Sequence, residues 1–257
     1  MKLVIDTEAR TLDRVEGDVR TSLPLYSDDA FEAIADLYVK VGWNQKYLYT
    51  FSWMGRPIIQ MPDDVMRVQE AIHAIKPDLV IETGVAHGGS LILYASLLEA
   101  MGEGHVIGVD IEIRPHNRTA IEAHPLFKRI TLVEGSSTAP DIVAQVRDKA
   151  AGYKRVMVLL DSNHTREHVA AELEAYAPLV TPGSYIVATD GIMAMVADTP
   201  RGKPEWTEDN PSRAAEDFAA RHPEFTLLPE PPTPFNESTL TRQLVTHWPQ
   251  AWLRRNG

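Results

Sequence analysis

The sequence contains no cysteine. That excludes a disulfide framework, a thiolate nucleophile, and cysteine-ligated zinc or iron–sulfur centres. Positive charge is scarce: 25 Lys and Arg stand against 36 Asp and Glu, a formal net charge of −11. A binder of phosphate backbones needs a basic face, so nucleic acid is not an expected partner. Long apolar runs are missing too. Stretches such as Val156–Leu160 fall far short of the roughly 20 residues of a spanning helix, and no membrane partner is expected. The N-terminal stretch holds Asp6, Glu8, Asp13, Glu16 and Asp18, where a secretory leader would be basic and then apolar. The expectation is a soluble, cytoplasmic protein. Internal repeats, heptad arrays and low-complexity segments are also absent.

What is present is an ordinary globular balance, 44% hydrophobic and 24% charged residues over 257 positions, enough for one α/β domain. Residues 1–60 read as a helical extension. Within it, Ser27–Val41 opens on a Ser-Asp-Asp cap and spaces Phe31, Ile34, Leu37, Tyr38 and Val41 at helical intervals. The aromatic run that follows, Trp43, Tyr47, Tyr49, Phe51 and Trp53, suits packing onto the main domain or a subunit partner, or the wall of a substrate pocket.

From residue 61 the pattern is regular. Helices are predicted at Pro62–Ile75, Leu91–Met101, Thr119–His124, Pro140–Ala150 and Arg166–Ala177. Strands are predicted at Leu79–Glu82, His105–Asp110, Arg129–Glu134, Arg155–Leu160 and Ser184–Thr189. Strands alternating with helices imply a parallel sheet covered on both faces. Later come a helix at Ser212–His222 and strands at Phe225–Leu228 and Thr239–Val245, a closing hairpin at the sheet edge. Between them, residues 196–212 form a loop too long for a mere connection.

Ligands of such sheets bind beyond the carboxyl ends of the strands. Glu82, Asp110, Asp161 and Asp190 all fall there. Any one of them can be a solvated turn residue or a helix cap; four at one rim is a functional pattern. The run from Val80 to Ser90 is strand, glycine-rich turn and helix start, with Gly84, Gly88 and Gly89. This is neither a strict G-x-G-x-x-G nor a P-loop, so no phosphate grip is predicted. Glu82 would attract a cationic ligand, and Asp110 can accept from ribose hydroxyls. A ribose, an adenine, a positive sulfonium and no phosphate describe S-adenosylmethionine. A nicotinamide-dependent enzyme is the alternative on pattern alone.

Several segments then carry a resemblance. They are Gln60-Met61-Pro62-Asp63, Lys76–Gly84 with Gly88-Gly89-Ser90, Val106–Ile111 with Arg114-Pro115, and Gly135-Ser136-Ser137. Val158–His164 with His168-Val169, Gly183–Val187 and Trp252–Arg255 complete the set. Together they resemble the cephalosporin hydroxylase/rhamnosyl O-methyltransferase family, over about residues 55–257. The resemblance implies a Rossmann-like class I methyltransferase sheet, mostly parallel, of seven strands with a reversed C-terminal hairpin. It implies S-adenosylmethionine as cofactor, bound by Glu82, Gly84, Ser90, Asp110, Ser136, Ser137 and Asp161. It implies magnesium at Asp161 and Asp190, a small-molecule acceptor with a sugar or glycoside hydroxyl, a role in natural-product tailoring, and a homo-oligomer. Relatives carry Gly-Asp-Ser where this chain has Gly135-Ser136-Ser137, and Glu-Asp where it has Thr189-Asp190, so one metal carboxylate is missing.

An alcohol must lose its proton as it attacks a sulfonium methyl. His164, beside Asp161 in Asp-Ser-Asn-His, is the expected general base, with Asp161 as its catalytic partner. The structural alternative for His164 is a capping or pocket-lining histidine, and His168 is expected to be structural. Trp43, Tyr47, Trp53, Trp206 and Phe235 are candidates for the acceptor pocket. Two other readings stand beside the methyltransferase: a hydroxylase-type tailoring enzyme, and a cofactor-binding partner without activity. The domain division expected is 1–60 and 61–257.

Overall fold

Leu79, Val80 and Ile81 are fully buried, and an unbroken apolar run of this length belongs to a strand covered on both faces. It opens β6 (Leu79–Thr83), the centre of the main sheet. The computed structural model describes residues 1–230, 233–240 and 243–257. Around β6 the sheet is built from β7 (His105–Asp110), β8 (Ile130–Glu134), β9 (Val156–Leu160), β10 (Tyr185–Ala188), β11 (Phe225–Leu228) and β12 (Trp252–Arg255), in the order β11-β12-β10-β9-β6-β7-β8. The pairs from β10 to β8 are parallel, and β12 alone runs antiparallel to both its neighbours. Strand order reverses at β6, between β9 and β7, and opens a crevice at their carboxyl ends.

Helices α2 (Pro62–Ile75), α3 (Gly89–Met101), α4 (Pro115–Glu122), α5 (Pro140–Ala150), α6 (Arg166–Tyr176) and α8 (Pro211–Arg221) accompany the sheet, with the one-turn α7 (Met193–Val196) after β10. Proline stands at the first turn of α2, α4, α5 and α8, where its missing N–H is not needed. Two apolar clusters result. One includes Ile92, Leu93 and Trp252, the other Val158, Leu173 and Phe218.

The expected class is therefore observed, with two corrections. The edge strand expected over Thr239–Val245 does not form: residues 239–240 and 243–245 carry no strand, and 241–242 lie outside the described residues. β12 takes that place, anchored by the buried Trp252, whose ring meets Tyr185 edge-on at 5.6 Å. Truncating such an anchor costs about 3–5 kcal/mol.

The second correction concerns residues 1–60, which are not wholly helical. They begin with an antiparallel meander, β1 (Lys2–Asp6), β2 (Thr11–Glu16) and β3 (Val19–Pro24). Gly17, at φ +59°, supplies the turn between β2 and β3. Only then does α1 (Asp28–Asn44) follow, capped as expected by Ser27, whose Oγ accepts from Ala30 N at 3.3 Å. A two-residue pair, β4 (Ser52–Trp53) with β5 (Arg56–Pro57), leads into the main domain. Val39 of α1 packs on Ile192 and Val196, and Lys40 pairs with Asp198 at 2.9 Å. These contacts dock α1 beside the segment that follows β10. Among the described residues no helix is long and apolar enough to cross a membrane.

Candidate active site

The loop after β6 turns sharply because two glycines allow it. Gly84 has φ +92°, and a Cβ there would stand 1.9 Å from the Asp161 carbonyl oxygen. Gly88, at φ +80°, caps α3. The tight turn brings the amino end of α3 to the crevice, and that end favours anions. Asp110 fixes the loop: its Oδ2 accepts from Val85 N at 2.8 Å and Ala86 N at 3.1 Å. Arg56 braces it from outside by donating to the His87 carbonyl at 3.0 Å and to Asn117 Oδ1 at 3.1 Å. Ala86 sits at φ 45°, a strained conformation of the kind found at ligand sites.

Three cavities of about 220 Å³ each adjoin one another along the crevice. The first is lined by Asp110, Ser136, Ser137, Asn163 and His168. It shares Gly84, Ala86, Asp161 and Ser162 with the second, which also meets Gly88, Gly89 and Ser90. The second shares Tyr49, Ile59, His164 and Asp190 with the third, whose other walls include Trp43, Trp206 and His247. Among the described residues no Lys or Arg lines the first two. A phosphate-bearing dinucleotide finds no cation there, whereas a cofactor with ribose, a carboxylate and a sulfonium meets Asp110, the α3 amino end and Asp161.

Asp161 borders the first and second cavities, and Asp190 the second and third. Together with His164 they offer ligand atoms within 4.8 Å of one another. His164 Nε2 stands 3.3 Å from Asp190 Oδ2, and its buried Nδ1 has no partner. Asp190 adopts φ 58°, a left-handed turn that Asp tolerates. Burial, and then the neighbouring Asp190 charge, push the Asp161 carboxyl up to about 7. Thr189 is fully buried, and its hydroxyl lies 2.8 Å from both Asp161 Oδ1 and the Leu160 carbonyl. Two carboxylates with room for water suit a hydrated magnesium ion, which needs few protein ligands.

Of the residues expected from sequence, Gly84, Ser90, Asp110, Ser136, Ser137, Asp161, His164 and Asp190 all reach this crevice. Glu82 does not. It is fully buried beneath α3, accepting from Ser90 Oγ at 2.6 Å and Tyr94 Oη at 3.0 Å. Burial lifts its carboxyl well above the usual carboxylate range, and its two oxygens are taken up by Ser90 and Tyr94. Of the five aromatics expected at the acceptor pocket, Trp43 and Trp206 line the third cavity, meeting edge-on at 5.6 Å. Tyr47 packs on Tyr38 and Phe51, and Trp53 donates to Ser96 Oγ at 3.0 Å. Phe235 borders a separate cavity of about 620 Å³ beside α2.

His168, read from sequence as structural, lines the first cavity. Its Nε2 lies 3.2 Å from Ser137 Oγ, 3.2 Å from Ser162 Oγ and 3.4 Å from the buried Glu172 Oε1. The Glu172 contact raises its pKa. The i, i+4 spacing of His168 and Glu172 on one helix was the available signal. His247 had none. It reaches the third cavity because Asp64 on α2 accepts from His247 N at 2.8 Å and Thr246 Oγ1 at 2.5 Å. Burial pushes the Asp64 carboxyl up to about 7 and lowers the His247 pKa.

Known proteins resemble this chain in sequence and in architecture. The family model for rhamnosyl O-methyltransferase/CmcI matches residues 45–256. The rhamnosyl O-methyltransferase of Mycobacterium leprae (strain TN) is 32% identical over 161 residues, 62% of this chain and 68% of that one. A CmcI structure with Mg and SAM superposes with a TM-score of 0.54 at 20% identity, over 81% of this chain and 78% of that one. The MycE methyltransferase of the mycinamycin biosynthetic pathway, solved with Mg and SAH, gives 0.51 at 17% identity, over 95% and 67%. These two likenesses establish the fold. By family match and architecture, the chain belongs to the rhamnosyl O-methyltransferase/CmcI family and is an S-adenosylmethionine-dependent O-methyltransferase.

Proposed function

We propose that the protein methylates a hydroxyl of a sugar or glycosylated small molecule, as a tailoring step in natural-product assembly. The observation that carries this reading is the position of His164 and Asp190, which line both the donor-side and the acceptor-side cavities. A base placed at that junction touches the one point where a hydroxyl can meet a donor methyl.

S-adenosylmethionine supplies an electrophilic methyl group when bound. Asp110 and the Ser136-Ser137 pair hold the nucleoside end, and Asp161 and the α3 amino end hold the amino-acid end. Asp161 and Asp190 are the residues to hold magnesium, which would lower the pKa of an oxygen bound to it. His164 accepts the acceptor hydroxyl proton, and Asp190, 3.3 Å from its Nε2, stabilises the charge it gains. Trp43 and Trp206 present aromatic faces suited to a sugar ring. The exposed Phe31, Leu37, Tyr38 and Val41 of α1 form the face on which we place self-association, testable by light scattering.

The test is methyl transfer from labelled S-adenosylmethionine to a panel of glycosides, read by mass spectrometry with and without chelator. Product heavier by one methylene supports the reading. Tight S-adenosylhomocysteine binding with no product from any hydroxyl acceptor would overturn it in favour of a cofactor-binding partner.

A further inference from the structure

The acceptor cavity has a charge pattern opposite to that of the chain. Its rim carries Lys46 and Arg201, both exposed. Neither pairs with a carboxylate among the described residues. Lys46 Nζ stands 5.7 Å from the Tyr49 ring centroid. The Arg201 guanidinium lies 4.8 Å over the Trp43 ring, and its Nη1 donates to the Trp43 carbonyl at 2.9 Å. Lys203 adds a third cation, 5.9 Å from the centroid of Trp206. Elsewhere arginines find acids readily, as Arg166 does with Asp217, Arg213 with Glu216 and Arg118 with Glu134. Among the described residues the sole acid lining this cavity is Asp190, at the end shared with the donor side.

In a chain of net charge −11, cations left without acids at the rim of an aromatic-walled cavity are a recognition feature. Stacking on an aromatic face holds the Arg201 guanidinium in place and leaves N–H groups free for a planar or tetrahedral oxyanion. Two cations from separate chain segments match a group of about two negative charges.

We propose that the acceptor is an anionic glycoside, a sugar esterified to phosphate or diphosphate. Lys46 and Arg201 bind the anion while the hydroxyl to be methylated faces His164. This rests on the methyltransferase reading and narrows its substrate class.

The experiment is calorimetry on the full chain saturated with S-adenosylhomocysteine, without added metal. UDP-glucose, inorganic pyrophosphate and methyl glucoside are titrated in turn. UDP-glucose is expected to bind at least ~10-fold more tightly than methyl glucoside, and to weaken as salt is raised. Lys46→Gln and Arg201→Gln are each expected to weaken it by ~10-fold or more, while Arg201→Lys, which keeps the charge but loses the stacked planar fork, falls between Arg201→Gln and the wild type. S-adenosylhomocysteine affinity and Tm are measured alongside, to show that each variant is folded. Equal affinity for UDP-glucose and methyl glucoside, or variants that bind like the wild type, overturns the proposal. Pyrophosphate binding as tightly as UDP-glucose also overturns it, because the site then holds a bare anion and no acceptor. Failure to bind S-adenosylhomocysteine at all overturns the methyltransferase reading itself.

Discussion

The Thr189 hydroxyl lies 2.8 Å from Asp161 Oδ1, at a place where the family resemblance implies a carboxylate. It supports the ionised form of Asp161 against burial and the Asp190 charge, which raise its pKa to about 7. Magnesium requires that carboxylate ionised, so its binding should strengthen as pH rises through about 7. Thr189→Val removes the contact and should shift this rise to higher pH, at a stability cost of about 1 kcal/mol. Calorimetric magnesium titrations from about pH 6 to 9 check it. Overlapping profiles for the two proteins would refute the assigned role of Thr189.

His164→Ala should lower turnover at least ~100-fold, the usual size of a general-base contribution. S-adenosylhomocysteine affinity should be unchanged, because the nucleoside end is held by other residues. Near-normal turnover would remove His164 from proton transfer.

Gly84 and Gly102 make a controlled comparison. Both have positive φ, +92° and +86°, but a Cβ at Gly84 meets the Asp161 carbonyl oxygen at 1.9 Å and one at Gly102 meets nothing within 4 Å. Gly102→Ala should cost roughly 1–2 kcal/mol, the left-handed conformation alone. Gly84→Ala should cost more than that and also abolish S-adenosylhomocysteine binding, since it separates β6 from β9 at the crevice. Denaturant unfolding and calorimetry on both variants test this. Equal losses would show that the close approach to Asp161 is not what demands glycine.

The His168–Glu172 contact gives a pH signature. Its hydrogen bond raises the His168 pKa in the folded state, so the contribution to stability is full below the unfolded histidine value and fades as pH rises through the folded one. His168→Gln should flatten that part of the Tm-against-pH curve. Because His168 lies beside Ser137, the same variant should weaken S-adenosylhomocysteine binding severalfold. A Tm curve with undiminished slope would exclude the pairing as its source.

Much of the sheet was legible in the sequence because its signals are local. Pro62 and Pro140 start helices that end at Ile75 and Ala150 as the periodicity requires, and His105–Asp110 is an apolar run closed by an acid. The misreadings concern contacts distant along the chain. β12 is four residues long, and only its pairing with Tyr185–Val187 and Phe225–Leu228 makes it a strand. Lys2–Pro24 carries too few apolar residues to announce a meander. Glu82 and Asp110 look alike as acids at strand ends, but the fold turns Glu82 beneath Ser90 and Tyr94, while Asp110 meets the crevice. Asp161 follows directly on β9 and Asp190 stands two residues after β10, so the strand pattern alone places both at the rim.

The walls of the acceptor cavity include residues 43–49, which precede the main sheet, and residues 201–206, which interrupt it between β10 and β11. The cavity beside Asp110 and Ser136-Ser137 instead rests largely on turns at the carboxyl ends of β6, β7, β8 and β9. On the proposed function, substrate preference and methyl supply draw on largely different stretches of chain that meet at Tyr49, Ile59, His164 and Asp190. Exchanging the two peripheral stretches between relatives is a route to new acceptors that leaves the donor pocket's scaffold in place.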